Sequence, residues 1–503
     1  MINFKNYPST TKIIIPNSVY LSSTDFSNKF NNMKNLTNIM LPDSITNMYN
    51  AFNGCTNLTT AVCGNNVTDM SYAYRNCKNL TIAVCGDNVK HMYGAYYDCT
   101  NLTTSACGDS VTDMAYAYQG CTNLTTAVCR DNVTDMYSTY SDCTSLTTAV
   151  CGNNVTNMSY AYQNCTNLTT AACGNNVTNM NGGYANCTNL TTAVCGDSVT
   201  DMSYAYRNCT SLTTAVCGDN VKHMINAYAN CTSLITAACG NNVVDMQGTY
   251  WGCTNLTTAV CGDNVINMMR TINYSTNKGY IGTYQNCTNL TTAVCGNNVK
   301  RMIMTYRNCT NLTTAVCGDN VTDMGGAYYS CKNLTTAVCG DNVVNMTTLN
   351  YTNKTNVSAV GAYSFCTNLT TAACGNNVTN MLFTYQGCSN LTTAVFGSKV
   401  KDIGATYKNC FNIQGNTYIS SNSINNARNC FNGRNASNML NIYVHNGSTT
   451  LSKFKITNAY SIVGKSISWT DDTATNGCYY NTTYNIYIYP VANVEETRIA
   501  NGD

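Results

Sequence analysis

From about residue 35 onward, apolar and polar positions follow one order that restarts every 22 residues. The Leu of "NL" or "SL" marks each restart, at Leu36, Leu58, Leu80 and onward to Leu256. The series resumes at Leu290, Leu312, Leu334, Leu369 and Leu391, with Ile413 in register, which makes 17 rows. Two steps, of 34 and 35 residues, carry insertions of 12 and 13. A less degenerate row comes first: "KIIIPNSV" places Ile13, Ile15, Pro16 and Val19 where "NIMLPDSI" places Ile39, Leu41, Pro42 and Ile45. Past the last marked row, "NCFNGRNASNMLNIYV" with Cys430 reads as one more, irregular row. Beyond Gly447 the repeat is gone, and "FKITNAY", "KSISWT" and "YNIYIYPV" read as short strands of a terminal β module.

Two periods alternate inside a row. "NLTTAVC" is short and rich in β-branched residues, so it predicts a strand. By two-residue alternation Ala61 and Cys63 point inward, Thr60 and Val62 outward. After a Gly-Asn turn, "VTDMSYAYRNC" spaces Met70, Ala73, Tyr74 and Cys77 as the buried stripe of a two-turn helix. Asp69, just before the Met, suits a helix N-terminus. Each Tyr74 equivalent is expected in the core with its hydroxyl at the rim. Twenty-two residues are too few to bury a core alone, so the rows must stack. The expected fold is an α/β solenoid, a right-handed leucine-rich-repeat stack of strand–turn–short-helix rows with a small C-terminal β module. The expected divisions are 1–34 (N-terminal cap and first irregular row), 35–413 (solenoid, with insertions near 269–282 and 347–361), 414–446 (irregular closing row) and 447–503 (β module).

The consensus Cys-x2-Leu-x2-Ala-x-Cys-Gly-x2-Val-x2-Met-x3-Tyr resembles the BspA-like (Treponema-type) class of bacterial leucine-rich repeat. "LPDSITNMYNAFNGCTNL" (Leu41 to Leu58) is nearest, with Pro42, Phe52 and Cys55 in place. Later rows put Gly for Pro, Tyr for Phe, and Ala and Cys for the two strand hydrophobes. The likeness spans about residues 10 to 445. It implies the fold, and surface adhesins or binding proteins without a shared catalytic site. The Asn/Cys/Tyr-rich wording is also similar to repeat proteins of gut bacteria and their phages.

Composition narrows the function. Net charge is +2 and 10% of residues are charged, which gives no electrostatic case for nucleic acid. No run approaches the 18 or so apolar residues of a membrane span, so no membrane insertion is expected. The first residues lack a signal-peptide apolar stretch, which leaves an intracellular protein, one exported without a Sec signal, or part of a particle released by lysis; a virion or an extracellular surface is the expected location. Of 32 cysteines, sixteen form a helix-end column (Cys55 to Cys410) and fourteen a strand-end column (Cys63 to Cys374). Leu41 and Phe396 replace the strand-end Cys, so that position wants an apolar filler, a role free Cys fills. Adjacent-row disulfides are geometrically conceivable, but a continuous ladder offers each sulfur two equivalent partners. Spacings of 8 and 14, with only three His in the chain, do not resemble metal sites. No metal, cofactor or catalytic constellation is expected.

Any function should sit where the rows differ. Positions after Met and after Tyr vary: Tyr72, Arg75, Tyr93, Tyr97, Tyr116, Tyr137, Tyr160, Tyr204, Arg207, Trp251, Met304, Arg307, Tyr329 and Phe383. These are the outward positions of the expected helix and the residue types that dominate interface hot spots. Relaxed constraint on a solvated face is the simpler explanation, and a diversified binding face the sharper one. The two insertions, "MRTINYSTNKGYIG" and "TTLNYTNKTNVSAVG", are expected as loops at the same point of rows three apart, roughly 15 Å by strand spacing. Their candidate contacts are Arg270, Tyr274, Lys278, Tyr280, Tyr351 and Lys354. The outward Thr/Val strand face offers a surface for self-association or carbohydrate. The preferred reading is a non-enzymatic binding solenoid, a phage virion or tail component that recognises a protein or glycan on a host surface. A bacterial leucine-rich adhesin and a fibre subunit are the alternatives.

Overall fold

The computed structural model describes residues 7–237, 240–259, 261–274, 277–293, 295–351, 357–455, 462–463 and 468–503. They fall into two compact units, Met1–Val243 and Val244–Asp503.

In the first unit, successive rows meet along two lines of parallel pairing. One line contains Lys12–Ile14 with Asn38–Met40, single bridges such as Ile82 to Thr104 and Thr104 to Thr126, and Thr214–Ala215 with Thr236–Ala237. The other joins Asp25, Asn47, Asp69, His91, Asp113 and their equivalents as far as His223. Between the lines lies the core. Leu58, Val67, Met70, Ala73, Tyr74 and Cys77 are all 0% exposed, and each belongs to a column that recurs row by row. The Tyr column begins at Phe30 and Phe52. Its rings stack nearly parallel, as Tyr74 on Tyr96 at 5.4 Å and 8°.

The seven-residue strand expected in "NLTTAVC" contracts to one or two paired residues, and the cause is the column tyrosine. The Tyr74 hydroxyl is not at the rim. It accepts the Val62 amide at 2.9 Å and donates to the Val62 carbonyl, so neither group is left for a neighbouring row. Tyr96 binds Val84 and Tyr118 binds Ala106 in the same way. Thr60 is exposed, Ala61 buried, and Val62 and Cys63 half-buried.

The short helix expected over Met70 to Cys77 is replaced by consecutive turns. Among the described residues the α-helices are Thr449–Lys455 and Val494–Ala500. Amides of Met70, Tyr72, Tyr74 and Asn76 donate to His91, Tyr93, Ala95 and Tyr97 of the next row at 2.7–2.9 Å. Those of Ala73, Arg75 and Cys77 donate within the row, to Met70, Tyr72 and Tyr74. Tyr72 and Asn76 are left-handed, with φ of +56° and +60°. A helix needs unbroken negative φ, so two left-handed residues four apart fold the chain as turns. Every second amide is thereby freed to bind the next row. The Asp69 carboxylate starts the series by accepting the Ser71 amide at 2.8 Å.

All 31 described cysteines are free thiols. Turn-end sulfurs are buried donors: Cys99 Sγ lies 3.0 Å from the Tyr74 carbonyl. Strand-end sulfurs are mostly half-buried. Cys63 Sγ accepts the Gly86 amide at 3.3 Å and lies 3.5 Å from Met70 Sδ. Burial pushes the thiols up, Cys55 and Cys85 to about 12 and Cys107 to about 11. A thiol held protonated is a poor nucleophile and a poor ligand.

The second unit repeats the row geometry, with bridges from Asp245 through Asn267, Arg301, Asp323, Asn345, Asn380 and Asp402 to Asn426. The two insertions are not irregular loops but antiparallel hairpins, Met269–Tyr274 with Asn277–Gly282 and Thr347–Tyr351 with Val357–Gly361. A five-stranded sheet follows, in the order Gly415–Ile419, Leu440–His445, Ile486–Val491, Cys478–Asn481, Thr470–Asp472. Its first three strands are parallel and the rest antiparallel. "YNIYIYPV" forms a strand as expected. "FKITNAY" does not begin as one: Phe454 and Lys455 end the helix Thr449–Lys455, and 456–460 lie outside the described residues. In "KSISWT" only Thr470 is in a strand, while 465–467 lie outside the described residues.

Candidate binding face

The turn pair fixes where the variable side chains go. Residues one and two positions after Met lie on the rim of the row, the second of them left-handed. In the first unit these positions form a continuous aromatic strip. Tyr49, Tyr72, Tyr93, Tyr116, Tyr137 and Tyr160 follow one another at 5.1–5.9 Å between ring centroids, at 59–89° to their neighbours. Edge-to-face packing at this distance is favourable. Tyr49 is 40% exposed and the other five are half-buried. Burial, then the Tyr137 hydroxyl, pushes Tyr116 up to about 12, and Tyr93 is raised by burial and by Tyr72. Tyr204 holds the same left-handed position at φ +60°.

Beside the strip, the Arg75 guanidinium lies 4.9 Å from the Tyr97 ring centre and 5.7 Å from that of Tyr72. Arg75 Nε is buried without a hydrogen-bond partner, and the charge is met by the two ring faces and by Asp98. Arg207 is exposed.

In the second unit, Arg307 lies 5.1 Å from the Tyr329 ring centre, and burial lowers its pKa. Tyr329 meets Phe365 edge to face at 5.4 Å. The hairpins flank this group: Met269, Ile303, Met304 and Val360 form a buried cluster on which Tyr280 and Tyr329 pack. Met304 is therefore not an outward residue; it is 0% exposed because the hairpins cover it. Phe383 is half-buried and left-handed at φ +59°. Trp251 is half-buried, its Nε1 without a partner. Arg270 is half-buried opposite Ile281. In backbone register Tyr274 faces Asn277, Lys278 faces Asn273 and Tyr351 faces Val357. Lys354 lies outside the described residues.

Sequence reading missed Tyr49 and Phe365. Tyr49 sits in the strip's column but in an early, less regular row. Phe365, at φ +63°, takes the place before Cys that Asn, Asp, Gly or Ser holds elsewhere, and a bulky residue there was the available signal. Among the described residues no group of three or more His, Cys, Asp or Glu could hold a metal ion. No helix among them is long and apolar enough to cross a membrane.

The model of the BspA type leucine rich repeat region matches residues 2–115, 93–213, 159–278, 269–358 and 339–414, with six copies. No curated protein matches. Two solved structures are similar. A leucine-rich repeat protein from Bacteroides ovatus ATCC 8483 has a TM-score of 0.48 and 14% identity over 72% of this chain and 82% of that one. A leucine rich cell surface protein from Faecalibacterium prausnitzii A2-165 has a TM-score of 0.34 and 18% identity over 70% of this chain and 82% of that one. With the row pattern and the family match running together over most of its length, the chain belongs to the BspA-type leucine-rich-repeat family.

Proposed function

We propose that this protein is a non-enzymatic adhesion module whose rows, wound as a right-handed solenoid, present the tyrosine strip to a ligand on a cell surface. One observation carries the reading: three of the strip's tyrosines, Tyr72, Tyr116 and Tyr160, are left-handed, at φ +56° to +58°. Each such bulky residue costs on the order of 1–3 kcal/mol, and strain of this kind clusters at functional sites. Neighbouring rows relieve this strain with Asn50 and Gly94 at the same position, and the second unit keeps it at Met304 only beneath the hairpins, whereas the strip's tyrosines keep it on the rim. The Arg307–Tyr329–Phe365 group and its hairpins supply a second contact area on the second unit.

The test is adhesion of the purified protein to candidate host cells, before and after Tyr72, Tyr116 and Tyr160 are replaced together. Loss of adhesion supports the reading, and unchanged adhesion removes it. The neighbouring genes decide whether the module belongs to a phage tail or to a bacterial surface. Self-association through the strand face is a second reading, favoured by Val194 and Val216, which are 62% and 61% exposed. A monomer in sedimentation at high concentration rules it out.

A further inference from the structure

The strip has a period that the 22-residue row does not. The left-handed position two after Met runs Asn50, Tyr72, Gly94, Tyr116, Ser138, Tyr160, Gly182 and Tyr204, small and large in turn. The reason is steric. A Cβ on Gly94 would stand 2.9 Å from the Tyr72 ring, and one on Gly182 would stand 2.6 Å from the Tyr160 ring. Each large ring lies over the small residue of the next row. The row with the small residue then carries its tyrosine one place earlier, as Tyr49, Tyr93 and Tyr137. Chemically equivalent rings therefore recur every second row, about 9.6 Å apart at the usual strand spacing.

Resting on the adhesive-face reading above, we propose that the strip from Tyr49 to Tyr160 binds a neutral, linear, β-1,4-linked polysaccharide lying along the stacking direction. Such a chain turns each pyranose over relative to the last, so equivalent faces recur once per disaccharide, the same two-fold alternation that the rings show. Pyranoses offer flat C–H faces and hydroxyl edges, and rings set edge to face offer aromatic faces and phenol hydroxyls in turn. The charge pattern disfavours anionic chains. Arg75 is the one charged residue in the five positions after Met in these six rows; Asp69, Asp98, Asp113, Asp135 and Asp142 flank them, with Lys78 and Lys90 on the same borders. A border that is acidic on balance opposes sulfated or sialylated glycans and leaves a neutral one unopposed.

The experiment is calorimetric titration of the full chain with cello-, chito- and malto-oligosaccharides of two to six units. One or both β-1,4-linked series should bind, with affinity rising in steps of two sugars up to the hexamer, and maltohexaose should not. The double variant Tyr72→Gly/Tyr116→Gly should weaken hexamer binding roughly tenfold or more. Tyr93→Phe, which keeps the ring and the fold, should weaken it less. Equal binding of maltohexaose, or no binding of either β-1,4-linked hexamer, overturns the proposal. If the same protein still adheres to cells through the strip, the adhesive-face reading survives and only the glycan class falls. If it does neither, both fall.

Discussion

The Tyr74 hydroxyl takes both backbone groups of Val62, accepting its amide at 2.9 Å and donating to its carbonyl. A side chain from the turn half of a row thereby closes the strand half. The contact recurs at Tyr118 and Ala106. Replacing Tyr118 with Phe keeps the stacked ring but strands one amide and one carbonyl. We expect a loss of about 1–3 kcal/mol, read from urea denaturation. A loss below a few tenths would show that water or a neighbouring row supplies the missing partners.

The thiols predict an alkaline limit. Cys55 and Cys85 are raised from 9.0 to about 12, chiefly by burial. Below pH 9 folded and unfolded chains both keep these protons, and the stabilisation is full. As pH rises from 9 towards 12 the unfolded chain releases protons that the folded chain retains. Stability then falls by up to about 1.4 kcal/mol per pH unit for each such thiol. With the thiols stacked in columns, denaturation midpoints should hold steady to pH 8 and drop steeply beyond 9. Midpoints unchanged up to pH 11 would contradict this account.

Thiol titration separates packing from chemistry. The native protein should react slowly with a thiol reagent at neutral pH, and the denatured protein should show all 32 cysteines. A count far below that would mean disulfides.

Gly282 tests the hairpin seat. A Cβ there would stand 2.0 Å from the Met304 carbonyl oxygen, a backbone atom that cannot swing away. Gly282→Ala should therefore cost about 1–3 kcal/mol or lift the first hairpin off the Met269–Met304 cluster. Protease susceptibility near 269–282 reads the second outcome.

Much of this was legible in the sequence. The row period, the inward columns and the insertion bounds follow from apolar spacing, because burial imposes that spacing directly. The helix did not survive, because Met70, Ala73, Tyr74 and Cys77 fall on one face of a helix and of a turn pair alike. The distinguishing signal lay one residue before each Cys, where Asn76, Asp98, Gly120, Asp142 and Asn164 are types that tolerate left-handed backbone. The tyrosine strip was legible as a set of residues but not as a strip. Its small-and-large alternation spans two rows, so row-by-row comparison reads it as free variation.

The most direct measurement pairs stability with binding in Tyr116→Gly. Glycine accepts the left-handed backbone that Tyr116 strains, and neighbouring rows already carry small residues at that position. Relief of strain should offset the lost ring contacts and leave unfolding stability within about 1 kcal/mol of the parent. Binding should fall sharply. A variant that loses several kcal/mol of stability yet adheres as well as the parent would show that the strip is packing, not a site.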